Sequence, residues 1–262
     1  MNYEWDAADY EKHSSPQQQW ARDVIRTLNL TGNERILDIG CGDGKVTAEL
    51  AALVPAGSVL GIDSSESMVE FANQRFPPGH FPNLQFRWGD ATRLAYRDEF
   101  DLIVSFTSLQ WVSDHLAVLS GIKRGLKPDG RTVLQFGGKG NAMPLLQVMD
   151  ELTTHKRWKG YFFGFTYPWL FYGVEEYRGF IDRVGLSPER IELIPKDMVH
   201  DGEEALKGWM RAVFLPYTER LPGGLREDFI GEIASAYVRR YPLDENGQIH
   251  VQMVRLEVEA TL

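Results

Sequence analysis

Arg35-Ile-Leu-Asp-Ile-Gly-Cys-Gly-Asp-Gly-Lys45 is the stretch that decides the architecture. Arg35 to Gly40 is a short apolar run ending in glycine, the pattern of a buried strand. Lys45 to Val54 has helical spacing, with Val46, Leu50 and Leu53 on one face. Between them three glycines alternate at 40, 42 and 44, where the chain must turn sharply. A strand, a glycine turn and a helix thus succeed one another within twenty residues.

The alternation continues outward. Ser58-Val-Leu-Gly-Ile-Asp63 predicts a second strand, with Ser64 placed to cap a helix from about Glu66 to Arg75. Leu84 to Trp88 and Asp101 to Phe106 predict a third and a fourth strand. A helix over Leu116 to Leu126 is stopped by Lys127-Pro-Asp-Gly130, and Arg131 to Phe136 predicts a fifth strand. Such alternation implies an α/β fold, a parallel sheet with helices on both faces. Ligands of these sheets bind beyond the carboxyl ends of the strands, near the switch point.

After residue 137 the pattern changes. Met143 to Thr154 reads as a helix, and residues 158–172 hold nine aromatics in fifteen positions. Val174 to Val184, Glu203 to Val213 and Arg226 to Arg240 read as helices, and Arg190 to Ile194 as a strand. Gln248 to Glu259 alternates strongly and predicts a long final strand. The expected organisation is a Rossmann-like, cofactor-binding core with an N-terminal lid over 1–137. A helical cap is inserted over 138–172 and 200–240, and 173–199 and 241–262 return to the core.

Composition narrows the function. The 262 residues are 43% apolar and 25% charged, with a net charge of −9. That charge argues against a nucleic acid as the main partner. The lone cysteine, Cys41, excludes an internal disulfide. Met1 to Tyr10 carries three acids and lacks the basic start and apolar run of a signal peptide. No run approaches eighteen apolar residues, so no membrane span and a cytoplasmic protein are expected.

The glycine loop narrows it further. The dinucleotide fingerprint needs G-x-G-x-x-G, and position 45 is lysine; the phosphate loop needs Ser or Thr after that lysine, and position 46 is valine. Asp38 stands in the turn itself, where a carboxylate suits a cationic group better than a pyrophosphate. The amino group and sulfonium of S-adenosylmethionine meet that demand. Asp63 ends the second strand nineteen residues past Gly44 and can accept from two ribose hydroxyls. Asp90, after the third strand, can accept from an exocyclic amine, or serve as a turn aspartate. Met68 can pack on a base or in the core.

With those residues in place, the chain resembles class I S-adenosylmethionine-dependent methyltransferases over roughly residues 30 to 137. The matching stretches are Ile36–Gly44, Gly61–Met68, Gly89–Ala91 and Phe100–Trp111. Ser108-Leu-Gln-Trp-Val-Ser-Asp-His115, the Tyr10 to Gln17 spacing and Tyr241–Gln248 look like the trans-aconitate methyltransferase group; the Tyr10/Gln17 region and the glycine loop also look like juvenile hormone acid methyltransferases. Both groups esterify small carboxylic acids. The resemblance implies a seven-stranded sheet with an antiparallel last strand. It implies that Asp38, Gly40 and Gly42 lie near the methionine part of the cofactor, with Cys41 and Gly44 of the same loop as further candidate cofactor-binding residues. Asp63 would hold the ribose, and Asp90 and Ala91 the adenine, with Ser64 and Met68 as further candidate cofactor-binding residues. Ser105 and Phe106 would line the methionine side, and Tyr10 and Gln17 would close over the cofactor.

No nucleophile triad or metal spacing stands out, and an ionised carboxylate acceptor needs no base. Gln110, Trp111 and His115 are the positioning candidates, with His115 equally readable as a helix-start residue. Trp111, Trp158, Tyr161, Phe165, Tyr167 and Trp169 are the candidate substrate-binding residues. The aromatic run otherwise forms the core of the cap or a dimer contact. Lys156, Arg157 and Lys159 attract an anionic acceptor or form a solvated surface. A small-molecule acceptor, such as a carboxylic acid, is therefore expected. The alternatives are a phenol, amine, nucleic acid or protein acceptor, or a non-catalytic cofactor-binding protein of the same fold. The oligomeric state is left open.

Overall fold

A computed structural model describes residues 15–262. In chain order the helices are α1 (Ser15–Ile25), α2 (Lys45–Leu53), α3 (Glu66–Arg75), α4 (His115–Gly125), α5 (Met143–Thr154), α6 (Val174–Val184), α7 (Gly202–Val213), the short α8 (Leu215–Thr218) and α9 (Gly223–Arg240). The strands are β1 (Arg35–Ile39), β2 (Ser58–Asp63), β3 (Leu84–Trp88), β4 (Phe100–Phe106), β5 (Leu126–Gly137), β6 (Ser187–His200) and β7 (Ile249–Thr261). They form one seven-stranded sheet in the order β3-β2-β1-β4-β5-β7-β6. The pairs β3/β2, β2/β1, β1/β4 and β4/β5 are parallel, and β7 runs antiparallel to β5.

Strand β4 shows why the sheet must be covered on both faces. Leu102 and Val104 pack with Ile36, Leu50, Ala72 and Val133 on one side, while Ile103 packs with Leu119, Ile122 and Tyr177 on the other. Successive side chains of a strand point to opposite faces, and here both faces are apolar and buried. Each fully buried Leu or Ile contributes about 1.5–3 kcal/mol relative to exposure. The order of strands reverses between β1 and β4, so the loops after those two strands diverge and leave a crevice at their carboxyl ends.

The chain divides into two compact units. Among the described residues, the sheet unit comprises 15–139, Trp169–Ile194 and Arg255–Leu262; the helical unit comprises Gly140–Pro168 and Pro195–Val254. The helical unit has an aromatic centre of its own. Trp158 is fully buried edge-on to Phe229, with centroids 5.0 Å apart, and Phe162 stacks on Phe229 at 5.2 Å. The Trp158 indole N–H donates to Glu232 at 2.7 Å, and Arg157 pairs with both Asp228 and Glu232.

Three elements depart from the sequence expectations, each for a local reason. β5 begins at Leu126 because Leu126 pairs with Phe100, and a register shift between Phe100 and Leu102 absorbs Lys127-Pro-Asp-Gly130. β6 runs from Ser187 to His200, well beyond 190–194. Its charged residues hide the strand pattern, since Arg190 bridges to Glu257 and Glu259 of β7. The cap of α3 is Ser65 instead of Ser64: the Ser65 hydroxyl accepts from the Met68 N–H at 3.3 Å. Among the described residues, no helix is long and apolar enough to cross a membrane.

Candidate active site

The crevice is built from the ends of β1, β2 and β4. Asp38 is the fourth residue of β1, in register with Gly61 of β2 and Val104 of β4. Its side chain is 2% exposed and accepts from the Thr47 hydroxyl at 2.7 Å. Burial pushes the Asp38 carboxyl up to about 7; the Thr47 hydrogen bond opposes this, and the charge of Asp63 adds to it. A buried carboxylate so poised favours a cationic partner, which would restore the ionised form.

The chain then turns through Gly40, Gly42 and Gly44, all with positive φ (77°, 52° and 80°). Gly40 and Cys41 N–H groups both donate to the Ile62 carbonyl, at 2.7 and 3.0 Å, which fastens the loop to β2. Among the described residues other than its two chain neighbours, none comes within 4 Å of a Cβ placed on Gly42, which leaves room there for a ligand. Cys41 is buried, its thiol pushed well up by burial and then by Asp63 and Asp38, so it is an inert wall of the loop.

Asp63 closes the second side. One oxygen accepts from the Gly42 N–H and the other from the Ser65 N–H, both at 2.9 Å. Desolvation raises its carboxyl, while those N–H donors hold it down. Each oxygen keeps a further lone pair for a diol. The Ser64 carbonyl accepts from the Trp88 indole N–H at 3.0 Å, and Met68 is buried at the start of α3. Asp90 accepts from both the N–H and hydroxyl of Thr92, at 2.8 and 2.7 Å, and caps a 3-10 turn that begins at Ala91. Desolvation pushes the Asp90 carboxyl up, but the Thr92 bonds hold it below its usual range.

At the end of β4 the Ser105 hydroxyl is fully buried and donates to the Ile39 carbonyl at 2.7 Å. Phe106 packs in the core beside Cys41. Gln110 is buried: its amide donates to the Thr107 carbonyl at 2.9 Å and accepts the Gly137 N–H at 3.4 Å. The Gln110 carbonyl accepts the Leu170 N–H at 2.9 Å. Trp111 is half-buried, edge-on to Trp169 with centroids 5.3 Å apart.

His115 opens α4, packed among Phe136, Tyr172, Tyr177 and Phe180, with Nδ1 3.3 Å from the Tyr177 hydroxyl. Burial lowers its pKa to about 4, so it stays neutral. Tyr161, Phe165 and Tyr167 belong to the helical unit, where Phe165 lies 4.5 Å from the Tyr217 ring. Gln17 is buried on α1; Tyr10 lies outside the described residues. Sequence reasoning passes over Thr47, Ser65, Thr107, Ser108 and Arg255. For Ser65 a signal exists, since a serine preceding Glu66 is as good a cap as Ser64.

The raised Asp38 carboxyl makes the protein pH-sensitive. An acid with a higher folded than unfolded pKa contributes stability at low pH that is lost as pH rises. Melting of the ligand-free protein should therefore lose this contribution between pH ~4 and about 7. Affinity for a cationic ligand should rise over the same interval. Calorimetric titrations with S-adenosylmethionine from pH 5.5 to 8 check the second part; an affinity that falls with pH would refute the role of Asp38.

Comparison with known proteins agrees with this geometry. Residues 36–130 match a family described as a methyltransferase domain. The chain is 30% identical over 258 residues to a trans-aconitate 2-methyltransferase of Streptomyces coelicolor, a match covering 93% of this chain and 82% of the relative. In fold it is similar to the YcgJ protein of Bacillus subtilis, with a TM-score of 0.61, 18% identity, and coverage of 92% of this chain and 97% of that one. It is also similar to a Haemonchus contortus phosphoethanolamine N-methyltransferase solved with S-adenosylhomocysteine, with a TM-score of 0.59, 17% identity, and coverage of 93% and 52%.

Proposed function

The chain belongs to the class I S-adenosylmethionine-dependent methyltransferases, and from that premise we propose that it methylates an oxygen of a small carboxylic acid. The observation that carries the acceptor class is the similarity to a trans-aconitate 2-methyltransferase across 93% of the chain, helical unit included. The residues of the crevice fit the cofactor. Asp38 would face the cationic amino acid end, Asp63 the ribose, and the turn at Asp90–Ala91 the base. When bound, S-adenosylmethionine supplies the methyl group in an in-line displacement from its sulfonium.

The chain's own work is then positional. A carboxylate is ionised at neutral pH, since its ordinary pKa is near ~4, so no side chain has to take a proton. Gln110 and Trp111, fixed at the end of β4, orient the acceptor, and Trp169 backs Trp111. Holding two reactants in line can supply on the order of 7–11 kcal/mol of the barrier. The net charge of −9 suits a small acceptor better than a nucleic acid.

The test is a transfer screen with methyl-labelled S-adenosylmethionine over small di- and tricarboxylic acids, including trans-aconitate, with phenols, amines and RNA alongside. The expected product releases labelled methanol on mild alkaline hydrolysis, as a methyl ester does. Label that is stable to base, on an amine, a phenol or RNA, would overturn the carboxylate acceptor.

A further inference from the structure

Thr107, immediately after β4, has φ +55°. A β-branched residue in the left-handed region is a rare outlier, and such outliers persist only where the surroundings over-determine them. Three contacts do so here. The Thr107 N–H donates to the Gln135 carbonyl at 2.7 Å. Its carbonyl accepts from the Gln110 amide at 2.9 Å. Its hydroxyl oxygen accepts from the Arg255 guanidinium at 2.8 Å. Arg255 is a β7 residue paired opposite Gly137 of β5; it is 2% exposed, with its guanidinium carbon 5.4 Å over the Trp20 ring.

Rotation about the backbone of Thr107 would swing residues 108–111, which form the reacting side of the crevice. Ser108 lies against the glycine loop: its hydroxyl oxygen sits where a Cβ on Gly40 would be, 1.9 Å from that position. Two residues on, Gln110 ties the same loop to the end of β5 through the Gly137 N–H. One backbone angle therefore sets both the surface against Gly40 and the placement of Gln110 and Trp111.

We propose that Arg255 and Thr107 form a positioning pair, in which Arg255 holds Thr107 in its left-handed conformation and so presets Ser108–Trp111 for methyl transfer. Control of turnover by the pair rests on the proposed reaction, in which the acceptor meets the donor beyond β4; control of the loop does not.

The pair has a signature that a merely structural arginine lacks. Glycine adopts the left-handed region without strain, so Thr107→Gly should remove the need for Arg255. With trans-aconitate as acceptor, Arg255→Met should lower kcat tenfold or more, with affinity for S-adenosylhomocysteine by calorimetry changed less than threefold. In a Thr107→Gly background the same substitution should lower kcat less than threefold further. Thr107→Val, which replaces the accepting hydroxyl with a methyl group and keeps the β-branch, should mimic Arg255→Met and covers the case in which the latter does not fold. Hydrogen exchange reads the loop without any acceptor: the Trp111 and Val112 amides, which donate to the Ser108 and Leu109 carbonyls, should exchange at least tenfold faster in Arg255→Met and Thr107→Val. Equal losses in both backgrounds, or unchanged local exchange, overturn the pair. If the parent protein methylates none of the carboxylic acids in the screen, the acceptor class fails instead, and exchange still decides the pair.

Discussion

Replacing Asp63 with alanine is expected to weaken binding of S-adenosylmethionine by roughly 100-fold or more. Hydrogen bonds to a charged group contribute roughly 1.5–3 kcal/mol each, and loss of two such bonds to a ribose diol reaches that factor. The substitution does more than delete an acceptor. It also releases the Gly42 and Ser65 N–H groups, both held at 2.9 Å, so the glycine loop and the start of α3 lose their common tie. Asp63→Asn keeps one accepting oxygen and should lose less. Isothermal calorimetry with S-adenosylmethionine is the measurement; an Asp63→Ala protein within threefold of the parent would remove Asp63 from the binding site.

Gly40→Ala is expected to be the most damaging single methyl group that can be added to the crevice. Two costs combine. At φ +77° an L-residue is strained, on the order of 1–2 kcal/mol. The new Cβ would lie 1.9 Å from the Ser108 hydroxyl oxygen and 2.3 Å from its Cβ, so either the loop after β1 or the loop after β4 must retreat. Overpacking of this kind typically costs a further ~1–3 kcal/mol. The expected result is a melting temperature several degrees below the parent and an affinity for S-adenosylmethionine reduced by roughly an order of magnitude or more. Ser108→Gly in the same protein should relieve the second cost alone and recover part of both losses. Thermal unfolding and calorimetry on the single and double variants check this; a fully stable Gly40→Ala protein that binds normally would contradict the packing described.

Which features are legible in the sequence depends on which forces are local. The strands β1, β2 and β4 announce themselves because each is largely buried and reads as a short apolar run. The glycine loop with Asp38 and Asp63 is legible for the same reason, since it lies at the ends of those runs. β6 is only partly legible: its strand character is carried by Arg190 bridging to Glu257 and Glu259, partners sixty-seven and sixty-nine residues away. Thr107 and Arg255 are invisible for a related reason. They meet across 148 positions of chain, and nothing near Thr107 signals a left-handed backbone as a glycine would. The aromatic run at 158–172 can be seen but not assigned from sequence, because burial alone separates a wall from a core. Trp158 and Phe162 are buried against Phe229, whereas Phe163 is 89% exposed.

The position of β7 bears on how the chain matures. It lies between β5 and β6, yet it follows both of them in the chain. Until Ile249–Thr261 emerges, β5 has no neighbour on one side and β6 has no place in the sheet at all. A nascent chain from which Ile249–Leu262 has yet to emerge would therefore carry an open, apolar sheet edge of the kind that invites aggregation. The sheet is completed from its interior, by a strand made after both of its neighbours.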